Sequence, residues 1–247
     1  MRKIFAIPFS ILAYLWFFVS ICFFHPIQWI CLNVFGYQAH KKSVDILNGF
    51  LISTLYLLLT DFRIENRELI PTGKPLIIVA NHQGLFDIIG LGWFLMKFHP
   101  KYVSKIELGK GIPSVSYNVR HGGSVMIDRN DPKQALPALK QMGEYIQSNC
   151  RSVVIFPEGT RTKDGKPKAF APNGLKILCK YAPDAYVVPI SINDSWKVFQ
   201  YGGFPLGIAN RLRYTVHTPI AVKECDFATL FERTEKAVLS GIDGEKG

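Results

Sequence analysis

Two short aliphatic runs, Leu76-Ile77-Ile78-Val79-Ala80 and Val153-Val154-Ile155, each stop abruptly at a cluster of polar and turn residues. A short apolar run bounded by turn residues reads as a strand buried on both faces. Open α/β sheets place their ligands where such strands run out. The first cluster is Asn81-His82-Gln83-Gly84-Leu85-Phe86-Asp87, and the second is Phe156-Pro157-Glu158-Gly159-Thr160-Arg161. One offers an imidazole and a carboxylate, the other a carboxylate and a guanidinium beside a glycine.

The rest of the chain supports that architecture. From about Asp61, strand-like runs at 102–104, 124–127, 152–156, 185–192 and 211–216 join the run at 76–80. Helices are predicted from Asp131-Pro132 to about Ser148, from Asn173-Gly174 to Tyr181, and from Asp226 to Leu239. Asp131 is placed as an N-cap with proline at the first helical position. Alternating strands and helices predict an α/β fold with a largely parallel, mixed sheet flanked by helices.

The amino terminus is different in kind. Ile4 to Phe24 carries no charge, and about 20 apolar residues suffice to cross a bilayer. The run is too long for the core of an ordinary signal peptide, and no small-residue cleavage site follows it. His25-Pro26 is expected to break the helix. Two shorter apolar pieces follow, Ile27 to Phe35 and Ile46 to Leu59, separated by the basic patch His40-Lys41-Lys42. Basic residues flank both ends of the first stretch, which gives no clear direction of insertion. The expectation is therefore two regions: residues 1–60 as hydrophobic anchoring helices, turning near His25-Pro26, and residues 61–247 as the catalytic body.

The charge is +10 over 247 residues, with 25 basic and 18 acidic side chains after residue 60. A basic body behind a greasy amino terminus points to anionic partners such as phosphorylated substrates or lipid headgroups. Nucleic acid is disfavoured, because no basic and aromatic residues alternate in a recognisable motif. The five cysteines form no C-x-x-C pair, so neither a disulfide framework nor a zinc site is expected.

His82 and Asp87 cannot meet on a continuous helix, where five residues separate side chains by about 140°. If His82 ends a strand and Asp87 begins the next helix, a turn at Gly84 can fold the carboxylate onto the imidazole. One ring nitrogen then stays protonated and the other is left free as a general base. The structural alternative makes Asp87 a helix cap and His82 a satisfied core histidine. In the second cluster, Gly159 and Thr160 open a loop whose backbone N–H groups could face an anion, and Arg161 supplies a fork for phosphate. Glu158 would orient Arg161 or bind a substrate hydroxyl; the alternative is an exposed Glu158–Arg161 pair of small value. Gly123 to Arg129 is a strand ending in a second arginine, whose alternative role is a solvated cap.

Taken together, these blocks resemble the glycerolipid acyltransferase family, most closely its bacterial 1-acylglycerol-3-phosphate members. Asn81-His82…Asp87 is similar to the family's His-x4-Asp block, Gly123 through Arg129 to its second, Phe156 through Arg161 to its third, and Val188-Pro189-Ile190 to its fourth. Lys105-Ile106-Glu107-Leu108…Pro113 also resembles a family segment. The likeness covers about residues 62–220. Ala169 to Asn173 departs from the pattern where relatives often carry a basic pair, which shifts the expected phosphate contacts toward Lys166 and Lys168.

The resemblance implies that His82, oriented by Asp87, deprotonates the free hydroxyl of lysophosphatidic acid. The alkoxide then attacks the thioester of acyl-CoA or acyl-carrier protein, with no metal and no bound cofactor. Arg129 and Arg161 would hold the phosphate, Glu158 and Gly159 the glycerol end, with Thr160 beside them in the same loop, and Pro189 the wall near the acyl group. Asn81 and Gly123 complete the implied substrate site. The implied location is the cytoplasmic face of the cell membrane. Two other readings remain open at this point: transfer to a different lysolipid, such as an amino-acid-containing one, and a non-catalytic protein that binds anionic lipid. A conventional hydrolase is disfavoured for want of a Gly-x-Ser-x-Gly nucleophile.

Overall fold

The computed structural model describes residues 2–128 and 131–242. Arg129 therefore lies outside the described residues. The chain opens with two long antiparallel helices, α1 (Arg2–Phe35) and α2 (Tyr37–Leu57). Strands β1 (Asp61–Glu65) and β2 (Leu76–Ala80) follow, then α3 (Leu85–Phe94), β3 (Pro100–Lys105), α4 (Val115–His121) and β4 (Val125–Ile127). The second half holds α5 (Pro132–Asn149), β5 (Ser152–Ile155), α6 (Pro172–Tyr181), β6 (Tyr186–Asn193), β7 (Arg211–Val216), β8 (Ile220–Ala221) and α7 (Phe227–Ser240).

Among the described residues the strands form one eight-stranded sheet in the order β1-β7-β6-β2-β5-β3-β4, with β8 also paired to β6. The pairs β2–β5, β2–β6, β3–β5, β3–β4 and β1–β7 are parallel, whereas β7 and β8 run antiparallel to β6. The mixed, mainly parallel sheet matches the expectation. β2 lies centrally, and all five of its residues are buried. Leu76, Ile78 and Ala80 face a core built with α1, α2 and α3, while Ile77 and Val79 face one built with α5, α6 and α7. Period-two alternation thus feeds two apolar layers, which is why β2 reads as an unbroken aliphatic run.

The helical hairpin differs from expectation in where it turns. α1 continues straight through His25-Pro26, and the chain reverses ten residues later at Gly36, whose φ is +81°. Glycine enters that left-handed region at no steric cost, so the reversal falls where the backbone permits it. Around Pro26, tertiary contacts hold the helix: the His25 Nδ1 accepts the Ser114 N–H at 3.1 Å, and the Ser114 hydroxyl donates to the Ile21 carbonyl at 2.6 Å. The basic patch His40-Lys41-Lys42 sits inside α2 and not in a loop.

α1 buries Ala6, Ser10, Ala13, Ser20, Ile21, Phe24 and Gln28, one stripe at helical spacing along most of its length. Its opposite side exposes Phe5, Ile11, Leu15, Phe18, Phe23 and Val34. Among the described residues, α1 is the one helix long and apolar enough to cross a membrane. Its inner stripe instead lies along α2 and the body. Tyr14 donates to the Gly203 carbonyl, the Ser10 hydroxyl accepts the Leu206 N–H at 2.8 Å, and Asn33 reaches the Tyr117 hydroxyl at 3.1 Å.

Candidate active site

β2 ends at Ala80, and the next residue clamps the sheet. The Asn81 amide donates to the Ile192 carbonyl at 2.8 Å and its oxygen accepts the Ile192 N–H at 2.7 Å. Both ends of the side chain are thereby engaged with β6. Asn81 ties two strand ends together beside the site.

His82 follows, with its Nδ1 at 2.7 Å from Asp87 Oδ2. The same carboxylate oxygen accepts the backbone N–H groups of Gln83 at 2.6 Å and Gly84 at 2.8 Å. Asp87 is 0% exposed and lies in the first turn of α3, so the cap and the imidazole partner are one and the same side chain. Asp87 thus both caps α3 and contacts the imidazole. With Asp87 Oδ2 already accepting two N–H groups, the imidazole tautomer that fits this contact carries its proton on Nδ1. Nε2 is then the basic nitrogen.

The second cluster is wired directly into the first. Glu158 Oε1 accepts the His82 N–H at 2.8 Å, and its Oε2 accepts the Lys168 N–H at 2.9 Å. Glu158 therefore braces the backbone at His82 and does not orient Arg161. Burial pushes its carboxyl above the ordinary range, opposed by the N–H groups of His82 and Lys168. The Thr162 N–H donates to the His82 carbonyl at 2.8 Å. The Phe156 ring stacks on the imidazole with centroids 4.1 Å apart. Backbone and ring of His82 are thus both fixed from the loop after β5.

Gly159 has φ +73°, and its N–H closes a turn onto the Phe156 carbonyl at 3.0 Å. That donor is used within the turn and does not face an anion as anticipated. Thr160 accepts the Lys168 ammonium at 2.7 Å, so Lys168 stabilises the loop through its side chain. Gly123 has φ +84°, and a Cβ there would lie 3.3 Å from Lys101 Cε. Pro189 is buried in β6, in register with Val79. Its carbonyl accepts the His217 N–H at 3.0 Å, in the interval between β7 and β8 where a missing strand donor does no harm.

Around Nε2 the structure opens a cavity of about 330 Å³ lined by His82, Phe156, Gly159, Thr160, Arg161 and Lys105, among others. Arg161 is brought to His82 as anticipated, whereas Lys105 was not assigned a role from sequence. Its position at the end of β3, inside the Lys105-to-Pro113 segment, was the available signal. A second, more apolar cavity of about 240 Å³ lies between the hairpin, α3 and β3. Ile88, Tyr102, Ser104, Leu108 and Arg161 border both, so the two are adjacent. Pro100, Lys101, Tyr102 and Ser104 line the second cavity, a span of about 13 Å along the strand.

A buried imidazole–carboxylate pair at a strand end thus lies beside two cationic side chains and an apolar recess. The sequence profile of the acyltransferase family matches residues 61–193, and the chain belongs to that family. It is 32% identical over 169 residues to a 1-acyl-sn-glycerol-3-phosphate acyltransferase of Helicobacter pylori, spanning 67% of this chain and 68% of that one. It is 30% identical over 164 residues to the chloroplastic enzyme of that name, LPAT1, from Arabidopsis thaliana, spanning 66% of this chain and 44% of the plant protein. The crystal structure of the 1-acyl-sn-glycerophosphate acyltransferase PlsC from Thermotoga maritima superposes over 100% of both chains, with a TM-score of 0.80 at 24% identity. That likeness shows the fold.

Proposed function

We propose that this acyltransferase moves a fatty acyl group from a thioester, acyl-CoA or acyl-carrier protein, to the 2-hydroxyl of 1-acyl-sn-glycerol-3-phosphate, giving phosphatidic acid. The observation that carries this reading is the Asp87-locked His82 in one cavity with Arg161 and Lys105. His82 Nε2 takes the hydroxyl proton as the oxygen attacks the thioester carbonyl. Collapse of the tetrahedral adduct breaks the C–S bond, and the departing sulfur takes the proton back from Nε2. Such general-base help is worth about 10²–10⁴ in rate. Arg161 grips the phosphate bidentately and Lys105 adds a point charge. The apolar cavity takes the transferred chain.

Glu158, Phe156 and Thr162 act as positioning residues, holding His82 as described. In this reading the outer face of α1 rests in the lipid surface and the body lies on the cytoplasmic side, where acyl-CoA and acyl-carrier protein are found. A purely lipid-binding protein would have no use for a buried imidazole–carboxylate pair, so that alternative is set aside.

Purified protein given labelled acyl-CoA and a panel of lysolipids tests the reading. The 3-phosphate acceptor should be preferred. His82→Ala should keep lysolipid binding and lose at least nine-tenths of turnover, and Arg161→Ala should raise the acceptor KM with the donor KM little changed. Preference for an acceptor without the phosphate, or transfer surviving His82→Ala, would overturn it.

A further inference from the structure

The Oδ2 of Asp87 carries the contact to His82 together with the N–H groups of Gln83 and Gly84. Its Oδ1 is buried with no hydrogen-bond partner among the described residues. The carboxylate is thus held through one oxygen, and the direction of that oxygen depends on where the first turn of α3 is set. Two tyrosine hydroxyls fasten that turn. Tyr214 on β7 donates to the Phe86 carbonyl at 2.9 Å, and Tyr102 on β3 donates to the Ile88 carbonyl at 2.9 Å. These carbonyls belong to the residues on either side of Asp87. The two strands lie on opposite sides of β2, each two places away in the sheet, so α3 is gripped from both flanks.

Two glycines make room for the grip. A helical carbonyl points at the N–H four residues on, so a donor reaching Phe86 passes beside Gly90, and one reaching Ile88 passes beside Gly92. A Cβ at Gly90 would lie 2.3 Å from the Tyr214 hydroxyl, and one at Gly92 would lie 3.2 Å from that of Tyr102. A buried tyrosine hydroxyl usually finds some partner. Here both find carbonyls flanking the same carboxylate, and a ten-residue helix carries two poor helix formers to admit them.

We propose that Tyr214 and Tyr102 are positioning residues of the His82–Asp87 pair, setting the first turn of α3 so that the carboxylate meets the imidazole. Its consequence for transfer rests on the reading of His82 as the base. Tyr214 borders neither of the two cavities, so its loss acts through α3 and not through contact with substrate; Tyr102 borders both.

The test uses the full chain in detergent micelles, with isotopically labelled histidine. The ring-nitrogen resonances of His82 are assigned by their loss in His82→Gln, and the Nδ1 resonance reports the hydrogen bond to Asp87. Tyr214→Phe keeps the ring and removes the hydroxyl. It should shift the Nδ1 resonance and lower kcat about tenfold, with the acceptor and donor KM little changed. Tyr102→Phe should shift the same resonance. Thermal unfolding shows whether each variant keeps its fold, and if one does not, the other carries the test. An Nδ1 resonance unmoved in a folded variant overturns the proposal for that tyrosine, whatever its kcat. A shifted resonance in Tyr214→Phe with kcat unchanged would support the grip on the pair and sink the reading of His82 as the base.

Discussion

The Phe156 ring lies against the His82 imidazole at 4.1 Å between centroids and 18° between planes. The aromatic that ends one strand therefore sets the plane of the base that ends another. Replacing Phe156 by alanine should leave the His82–Asp87 hydrogen bond possible but the ring free to tilt. We expect kcat to fall about tenfold or more, because small misplacements of a catalytic group are costly. The acceptor KM should change much less, and steady-state kinetics on detergent-dispersed substrate would separate the two.

Gly90, in α3, faces the ring of Tyr214. A Cβ there would lie 2.3 Å from the hydroxyl and 2.7 Å from Cζ, and that hydroxyl already donates to the Phe86 carbonyl at 2.9 Å. Gly90→Ala is therefore expected to destabilise the protein by about 1–3 kcal/mol through overpacking, despite alanine's better helix propensity. Thermal unfolding in detergent would show it as a lowered Tm. An unchanged Tm would mean that α3 can shift away from β7.

Much of this was visible in the chain before folding, and what was hidden has physical causes. β2 and β5 were legible because strands buried on both faces must be aliphatic throughout. β1 was not, since Asp61-Phe62-Arg63-Ile64-Glu65 is a charged edge strand exposed on alternate residues. α3 was also missed. Sandwiched between the hairpin and the sheet, it needs no polar face, and Gly90 and Gly92 serve close approach to Tyr214 and Asn48. In the site, the residue types announced a base and a phosphate fork. That Glu158 and Thr162 bind the backbone of His82 follows only from β5 lying beside β2, and no local spacing encodes that neighbourhood.

Lys101 is buried at the start of β3, and burial lowers its ammonium from 10.5 to about 7, with Arg151 and Lys41 adding to the effect. Between about 7 and 10.5 the unfolded chain holds a proton that the folded protein has released. Stability should therefore rise with pH across that window, and the burial penalty should be fully present below it. Lys101→Met should flatten the slope. Unfolding midpoints at pH 7 and pH 9.5, compared between the two proteins, give the answer. A wild type no more stable at the higher pH would contradict this environment for Lys101.

The outer face of α1 is expected to carry membrane binding. Leu15 and Phe18 are exposed there, away from the inner stripe. Leu15→Asp with Phe18→Asp should lower co-flotation with anionic vesicles strongly while reducing transfer in detergent much less. Deleting residues 1–60 is a different matter, because Leu47, Leu51, Leu55 and Leu58 share a core with Ile78 and Leu91. Each buried leucine contributes about 1.5–3 kcal/mol, so the truncated body should not fold. A soluble, cooperatively melting truncation would refute that.

The bond between Ser10 and Leu206 spans 196 residues, and that between Tyr14 and Gly203 spans 189. α1 thus leaves the ribosome well before the loop its inner stripe packs against has been made. Until then both of its sides are greasy and unclaimed, the condition in which nascent chains aggregate. A lipid surface close to the exit tunnel can shelter the hairpin over that interval, holding α1 until its later-made partner arrives. The same apolar residues would then serve the protein twice, first in its biogenesis and afterwards at its post.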